Sequence, residues 1–319
     1  MYTVGDAQID DLLLTVSLLS AQLADRMAEM ATTQEAAVRR QMRAEVSQLT
    51  QELRLAIQAW LTNVFGEMVQ EMDEDILADM PADLLDEYGE ALPFNPADLS
   101  VAIETFQQDM GRAVLAIEEM ASRLQSGDLA PAVGSDGRSL IFALGVGAAG
   151  SATVASIRAA ASHRLRERLL HLVGADGRIY QYDLAYYAGL SAHSLKMRSY
   201  RDLLLGKAGR LGADLVQISK NPSTIGDYCD AFRGKVFSLS GGHPVYPPLA
   251  QAPSGGAPFH PWCHHRMKVF SDRGVSAAEA RRLADIPEAL LELGKVQASP
   301  NEYQRVWRRL KRKGRRRGN

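Results

Sequence analysis

The segment SKNPSTIGDYCDAFRGKVFSLSGGHPVYPPLAQAPSGGAPFHPWCHHRMKVF, residues 219–270, contains both cysteines of the chain and four of its seven histidines. Cys229 stands alone, and about thirty residues later four potential ligands occupy six positions: His260, Cys263, His264 and His265. Thiolate sulfur and imidazole nitrogen are the ligands that zinc prefers, and a Pro/Gly-rich loop allows two short segments to converge on one ion. The segment therefore predicts a Cys/His metal site.

Four ligands are predicted in this segment: Cys229, His260, Cys263 and His265. The last three are close enough in sequence for one turn to direct them toward a single ion, while Cys229 ties the upstream residues to that turn. A closed Cys2His2 set leaves no position for water, which favours structural zinc that stabilises a module with little apolar mass. The alternative is that the cysteines are buried small hydrophobic residues and that the histidines are exposed.

Short strands are predicted on either side of Cys229. Apolar residues at positions 215–218 and 236–239 form strand-like runs, and Gly234 and Gly241 bound the second run. Residues 235–240 are therefore expected to form one arm of a hairpin in a small α+β module.

The remainder of the chain has the pattern of α-helices. Apolar residues recur at three- and four-residue steps across residues 9–71: Leu12, Leu13, Val16, Leu19, Leu23, Met27, Leu53, Ile57, Trp60 and Val64. The expected break is at Thr32-Thr33, so two long helices should pack as a hairpin. Further helices are predicted at residues 99–124, 182–205 and 276–294, and a last one from Pro300. The predicted fold is mainly α, with a long N-terminal helical hairpin or bundle followed by a small α+β C-terminal module that carries short strands and the Cys/His cluster.

Composition divides the chain into four predicted regions. These are an acidic helical region (1–92), a helical middle region with a Gly/Ala-rich helix (93–180), the Cys/His module (181–274), and a C-terminal helix with a basic tail (275–319). Residues 1–100 carry 19 acidic residues, five arginines and no lysine, a net charge of −14. Within them, residues 71–90 are interpreted either as a solvated acidic helix or as a docking face for a basic partner.

The last fifteen residues contain nine cations and no acid: Arg305, Arg308, Arg309, Lys311, Arg312, Lys313, Arg315, Arg316 and Arg317. Such a cluster neutralises phosphates, and without a base-reading motif it predicts sequence-independent binding to double-stranded DNA. The alternatives are a solvated tail or a tail that docks on an acidic protein surface, including the N-terminal helices of another copy. A chain with one cationic and one acidic end is expected to bind two different partners.

Targeting features are not predicted. Polar and acidic residues follow Met1, which disfavours a signal peptide, and two cysteines cannot build a disulfide framework, which indicates a reducing compartment. Residues 139–157 are uncharged and long enough to span a membrane, but Gly, Ala and Ser dilute their hydrophobicity. Close helix packing is the favoured interpretation, and membrane insertion is the alternative.

The Cys/His module resembles the C-terminal module of tailed-phage minor capsid proteins, the MuF-like head morphogenesis family and its minor capsid protein 2 relatives. That family has a cysteine before a Gly-Lys-Val-Phe/Tyr-Ser strand and ends in a His-Pro-x-Cys-x-Cys/His run. The matching positions are Cys229, residues 234–240, Tyr246-Pro247, His260-Pro261, Cys263 and His265. The likeness covers roughly residues 182–270, little more than a quarter of the chain.

Two positions depart from the family pattern. Many relatives have another cysteine where this chain has Gly226, and the usual arginine after the second cysteine is His264 here. The first departure removes one possible ligand, so the metal set has four members and no spare.

The resemblance implies a non-enzymatic structural protein of the virion, located at the head–portal vertex and assembled in the cytoplasm of the bacterial host. Its implied partners are the portal or other capsid proteins and double-stranded DNA during packaging or ejection, with several copies of the chain at the vertex.

Two other function classes stay open. Zinc deaminases need His-x-Glu with Pro-Cys-x-x-Cys, and zinc proteases need His-Glu-x-x-His; the sequence has neither. A zinc-dependent nuclease that uses His243 or His264 as its base is one alternative, although no carboxylate cluster accompanies these histidines. A membrane-active ejection protein that uses residues 139–157 is the other.

Overall fold

The structure is a computed structural model that describes residues 6–33, 35–88, 95–126, 154–173, 177–220 and 227–317. The chain divides into two compact units, one formed by residues 1–66 and 105–192 and the other by residues 67–104 and 193–319. The four regions predicted from composition are a separate division along the chain and stay a prediction.

The described part of the chain is mainly helical, as the sequence predicted. Its α-helices are α1 (Ala7–Thr32), α2 (Ala36–Ala59), α3 (Phe65–Ala78), α4 (Ala82–Tyr88), α5 (Ser100–Ser126), α6 (Val154–Glu167), α7 (Leu184–Arg210), α8 (Ala277–Ala284), α9 (Glu288–Lys295) and α10 (Pro300–Arg317). Its strands are β1 (Leu170–Val173), β2 (Ile179–Tyr182), β3 (Leu215–Ile218), β4 (Val236–Ser238) and β5 (Met267–Val269).

Helices α1 and α2 form the predicted hairpin in the first unit. The Asp6 side chain caps the start of α1, and α1 ends at Thr32, where the break was expected. The apolar stripe predicted on α1 is buried, and α2 packs against it. The antiparallel arrangement is visible at the open end of the hairpin, where the Trp60 indole N–H donates to the Gln8 carbonyl at 2.8 Å. A π-helical turn (Trp60–Val64) joins α2 to α3.

The first unit also contains α6 and a two-stranded hairpin. Helix α6 packs against α1, where Ser162 and Arg166 both donate to the Asp25 carboxylate. Strands β1 and β2 pair antiparallel, one before and one after the glycine-bounded residues 174–177. Neither strand was predicted.

Acidic residues of α3 and α4 pair with polar and basic groups within the second unit. The Lys207 ammonium is fully buried and lies 2.9 Å from Asp73, while Arg266 lies 3.3 Å from Asp75. Asp83 accepts a hydrogen bond from Ser271 at 2.8 Å. Part of the negative charge in residues 71–90 is therefore used within the chain, an arrangement that neither interpretation of this segment considered.

Three short strands form the sheet of the Cys/His module in the order β4-β3-β5, and both outer strands run antiparallel to β3. Val216 in the central strand is paired with Phe237 on one side and Val269 on the other. Strands β3 and β4 were predicted. Strand β5 was missed, because it is three residues long and closely follows the polar His/Cys run.

Short helices cover the sheet and close the chain. Leu283 of α8 joins the buried cluster of the sheet with Leu215, Val236 and Tyr246. The helix predicted over residues 276–294 is two helices, α8 and α9, since Pro287 cannot continue the backbone hydrogen bonding of α8. The Ser276 side chain caps α8, accepting from the Glu279 N–H at 3.2 Å.

No helix in the described ranges combines the length and the apolar character needed to cross a membrane. Residues 139–153, most of the uncharged run for which close packing and membrane insertion were weighed, lie outside those ranges.

Close packing of α9 gives a stability prediction. A Cβ atom added at Gly294 would lie 2.0 Å from the Gln251 carbonyl oxygen, a backbone atom that cannot move away cheaply. Gly294→Ala is expected to lower the free energy of unfolding by about 3 kcal/mol or more, since overpacking costs roughly 1–3 kcal/mol even where side chains can adjust.

Gly111→Ala is the matched control for chemical denaturation. Nothing lies within 4 Å of a Cβ at Gly111, in the interior of α5, so the substitution should raise stability by about 0.5–1 kcal/mol. Equal effects of the two substitutions would contradict the close approach of α9 to Gln251.

Candidate metal centre

The sheet brings the two halves of the Cys/His segment together. Strands β4 and β5 both run antiparallel to β3, so both begin at the same end of the sheet. A 3-10 turn (Tyr228–Ala231) precedes β4, and the His260–Cys263 turn precedes β5. Two segments about thirty residues apart in sequence therefore meet beside the end of β3.

Asp227 orders the first of these turns. Its side chain caps the 3-10 turn by accepting from the Cys229 N–H at 2.7 Å, which fixes the backbone that carries the Cys229 thiol. The other carboxylate oxygen lies 3.1 Å from Nε2 of His260 in the second turn. Asp227 thus links the two segments through a polar contact.

The second turn is closed by its own backbone and anchored to the first. The Cys263 N–H donates to the His260 carbonyl at 2.9 Å, and the Tyr228 hydroxyl donates to the Phe259 carbonyl at 2.7 Å. These bonds hold Cys263 and His260 toward Cys229.

Cys229, His260 and Cys263 form a group that could hold a metal ion. Their ligand atoms all lie within 4.8 Å of one another, the two cysteines are buried and unoxidised, and His260 is half-buried. Two sulfurs and one imidazole nitrogen suit a borderline-soft divalent ion. The structure therefore brings together three of the four predicted ligands.

His265, the fourth predicted ligand, lies beside the group. It is buried, and its Nδ1 is 3.5 Å from the Cys263 sulfur. Its Nε2 is buried without a hydrogen-bond partner among the described residues. A buried polar atom normally has a partner, so this nitrogen is a position that a bound ligand could satisfy.

The two thiols are hydrogen-bonded to each other. Hydrogen bonding from Cys229 is the largest influence on Cys263 and lowers its pKa; burial opposes this shift, and a bond with His265 adds to it. The same bond and burial raise the pKa of Cys229. One of the two sulfurs is thus readily a thiolate, the form that ligates metal ions.

Helix α7 supports the second turn, a role that the sequence did not reveal. The buried ring of His193 stacks on Trp262, with ring centroids 5.3 Å apart, and its Nε2 lies 3.3 Å from the Cys263 carbonyl. Burial lowers the pKa of His193, which favours the neutral ring. Asp227 was missed as well, although its position two residues before Cys229 is a typical capping signature.

The two spare histidines lie outside the metal group. His264 is exposed, with its ring 5.0 Å from that of His193, and His243 lies 3.3 Å from Asp272. In the described residues neither belongs to a cluster of metal-ligating side chains.

The basic helix α10 is docked on the same module. Tyr303 is buried and stacks on Tyr228 with ring centroids 5.3 Å apart, and Gln304 accepts from the Tyr228 N–H at 2.9 Å. Trp307 is half-buried, with the Lys311 ammonium 5.1 Å from the centre of its ring. The predicted tail therefore begins as a helix that packs directly on the turn that carries Cys229.

The exposed arginines of α10 lie opposite its packed face, whereas Lys311 lies beside Trp307 and 3.8 Å from Asp230 of the module. Four exposed arginines and a lysine are described: Arg305, Arg308, Arg309, Arg312 and Lys311. The remaining predicted DNA-binding side chains lie outside the described residues: Lys313, Arg315, Arg316 and Arg317.

Comparisons with protein-family models, with curated proteins and with solved structures were made, and none of the three returned a match.

The Asp227 contacts predict how metal affinity depends on a residue that is not itself a ligand. Asp227→Ala should weaken metal binding about 10–100-fold, because a carboxylate that orients a ligating histidine contributes on that scale. Competition with a chromophoric chelator measures this affinity, and elemental analysis of the purified chain identifies the ion.

Cys263→Ser is the reference for complete loss, and His264→Ala is the matched control on an exposed neighbour. Metal content should fall to background in Cys263→Ser and stay unchanged in His264→Ala. A Cys263→Ser chain that kept full metal content would refute the assignment of this group.

Proposed function

We propose that the chain is a structural protein of a tailed-phage virion, a minor capsid or head morphogenesis protein at the portal vertex. In this role it binds portal or capsid proteins and contacts the phage DNA during packaging or ejection. The protein is assembled into heads in the host cytoplasm and is present in several copies.

The observation that supports this proposal most is the convergence of Cys229 with His260 and Cys263 in one small module. These are the positions through which the sequence resembles the phage family. The resemblance alone depends on the order of residues in the sequence. The convergence adds a physical reason for that order, because the sheet brings the two ligand-bearing segments together.

The proposed ion is zinc, with His265 as its fourth ligand. Two thiolates and two imidazoles form a set that zinc prefers, and the buried His265 ring lies beside the Cys263 sulfur. Four protein ligands leave no position for water, so this zinc stabilises the module and carries no reaction.

The proposed DNA contact is the exposed basic face of α10. Tyr303 and Gln304 fix one side of the helix to the Cys/His module, which leaves the arginine side free for phosphates. A packed helix presents its charges in a fixed row and loses less conformational freedom on binding than an unstructured tail. Recognition of this kind is sequence-independent, since it neutralises phosphates only.

The virion assignment predicts where the protein is found. Heads purified on a density gradient from the phage that encodes the chain should contain it at a fixed ratio to the portal protein, as measured by quantitative mass spectrometry. Its presence in lysates together with its absence from purified heads would contradict a structural role in the virion.

The DNA assignment predicts a charge effect that leaves the packed face of α10 intact. The triple variant Arg308→Gln, Arg309→Gln and Arg312→Gln should weaken binding to duplexes of any sequence. Its slope of log affinity against log salt should flatten by about 0.9 for each phosphate that the variant no longer neutralises. Fluorescence anisotropy with a labelled duplex at several salt concentrations measures both quantities.

A charge-matched control separates this effect from net charge. Arg40→Gln, Arg54→Gln and Arg112→Gln remove three exposed arginines from α2 and α5 and should leave the slope unchanged. Equal losses of duplex affinity and salt slope in both triple variants would contradict a specific role for α10.

A further inference from the structure

A cleft with a volume of about 410 Å³ lies on the sheet side of the Cys/His module. It forms where the residues that flank β3 and β4 meet α8, and basic side chains dominate its walls. The lining residues are Lys220, Arg233, Gly234, Lys235, Arg282 and Leu283. No carboxylate lines this cleft in the part of the chain that the structure describes.

Backbone contacts hold two of the four cations of the cleft in place. The Arg233 guanidinium donates to the Lys220 carbonyl at 3.0 Å, and the Lys235 ammonium donates to the Arg282 carbonyl at 2.9 Å in the last turn of α8. A cation at this position is favoured by the negative end of the helix dipole. Arg233 and Lys235 are therefore anchored by the fold, and Lys220 and Arg282 lie beside them.

Gly234 allows the lysine that follows β3 to approach the turn before β4. Its φ of +67° lies in the left-handed region that favours glycine, and a Cβ there would meet the Lys220 side chain at 3.2 Å. Gly234 therefore permits the backbone turn and also leaves room for the Lys220 side chain.

The surrounding acids only partly neutralise the cleft. Arg282 pairs with Glu279 at 2.6 Å and Arg233 with Asp230 at 3.5 Å, both at the surface of the module. In the described residues no carboxylate lies within 4.0 Å of the Lys220 or Lys235 ammonium. A concave surface of one charge sign concentrates anions, and paired guanidinium and ammonium groups suit phosphate oxygens.

One cation of the cleft lies close to the basic helix. Asp230 lies 3.5 Å from Arg233 in the cleft and 3.8 Å from Lys311 on α10, so one carboxylate joins the two cationic surfaces.

We propose that this cleft binds a phosphate group, and that the phosphate belongs to the backbone of the duplex that α10 contacts. The phosphate site depends on the cleft alone, whereas the assignment of the phosphate to DNA rests on the proposed DNA function. The DNA surface of the protein then extends beyond the C-terminal cations to residues between β3 and β4 and to α8.

The test uses the full-length protein with a double variant, Lys220→Gln with Arg282→Gln. Both side chains are exposed, and neither ammonium nor guanidinium group holds the backbone of the cleft. The variant should weaken binding of a labelled duplex and flatten its salt slope by about 0.9 for each phosphate that it no longer neutralises. Thermal unfolding in inorganic phosphate forms the second arm, in which phosphate should stabilise the wild type more than the variant.

The matched control is Lys268→Gln with Arg281→Gln, two exposed cations of the same module that do not line the cleft. This control should keep the wild-type affinity and salt slope for the duplex, and inorganic phosphate should stabilise it as much as the wild type. A cleft variant that matches this control in both arms overturns the proposal. A response to inorganic phosphate without a change in DNA slope supports a phosphate site and overturns its assignment to the DNA backbone.

The α10 triple variant separates this proposal from the DNA function itself. Loss of DNA binding in that variant, with a normal cleft variant, retains the DNA function and rejects the cleft as a DNA contact. Loss in the cleft variant alone retains the cleft and rejects α10 as the contact.

Discussion

The pairing of β4 and β5 with opposite edges of β3 is the constraint on which the module depends. Because both outer strands begin at the same end of the sheet, the turns that precede them are forced together. Cys229 and Cys263 meet there, in a module whose strands are three or four residues long. Strands this short have little apolar area to bury, so the contact between the turns has a large share in holding them in register.

Other parts of the second unit are placed by this contact. Tyr228, next to the cysteine, is the ring on which Tyr303 of α10 stacks, and Asp230 holds Lys311 of the same helix. Arg233, which follows the same turn by two residues, lines the cationic cleft. A substitution that disrupts the metal group is therefore expected to disturb both proposed phosphate contacts, because the residues that link them to the metal group lie within a few positions of Cys229.

The sequence was most informative where a pattern repeats or a chemistry is rare. The apolar stripe of α1 predicted the helical hairpin, and the concentration of Cys and His predicted the group around Cys229. The contact of Asp227 with His260 and that of His193 with Cys263 join residues about 30 and 70 positions apart, which no local pattern encodes. The break between α8 and α9 was missed, although Pro287 stands in the sequence and marks it.

Hydrogen exchange measured by mass spectrometry, on the chain with zinc and after removal of the ion by a chelator, tests whether the metal group holds the strands of the Cys/His module in register. Amides of β3, β5 and the Tyr228–Ala231 turn should lose protection when zinc is removed and regain it when zinc returns. Helix α1, which buries its own apolar stripe, should keep its protection throughout. Unchanged protection of these three segments in the metal-free chain would show that the module does not depend on the metal ion.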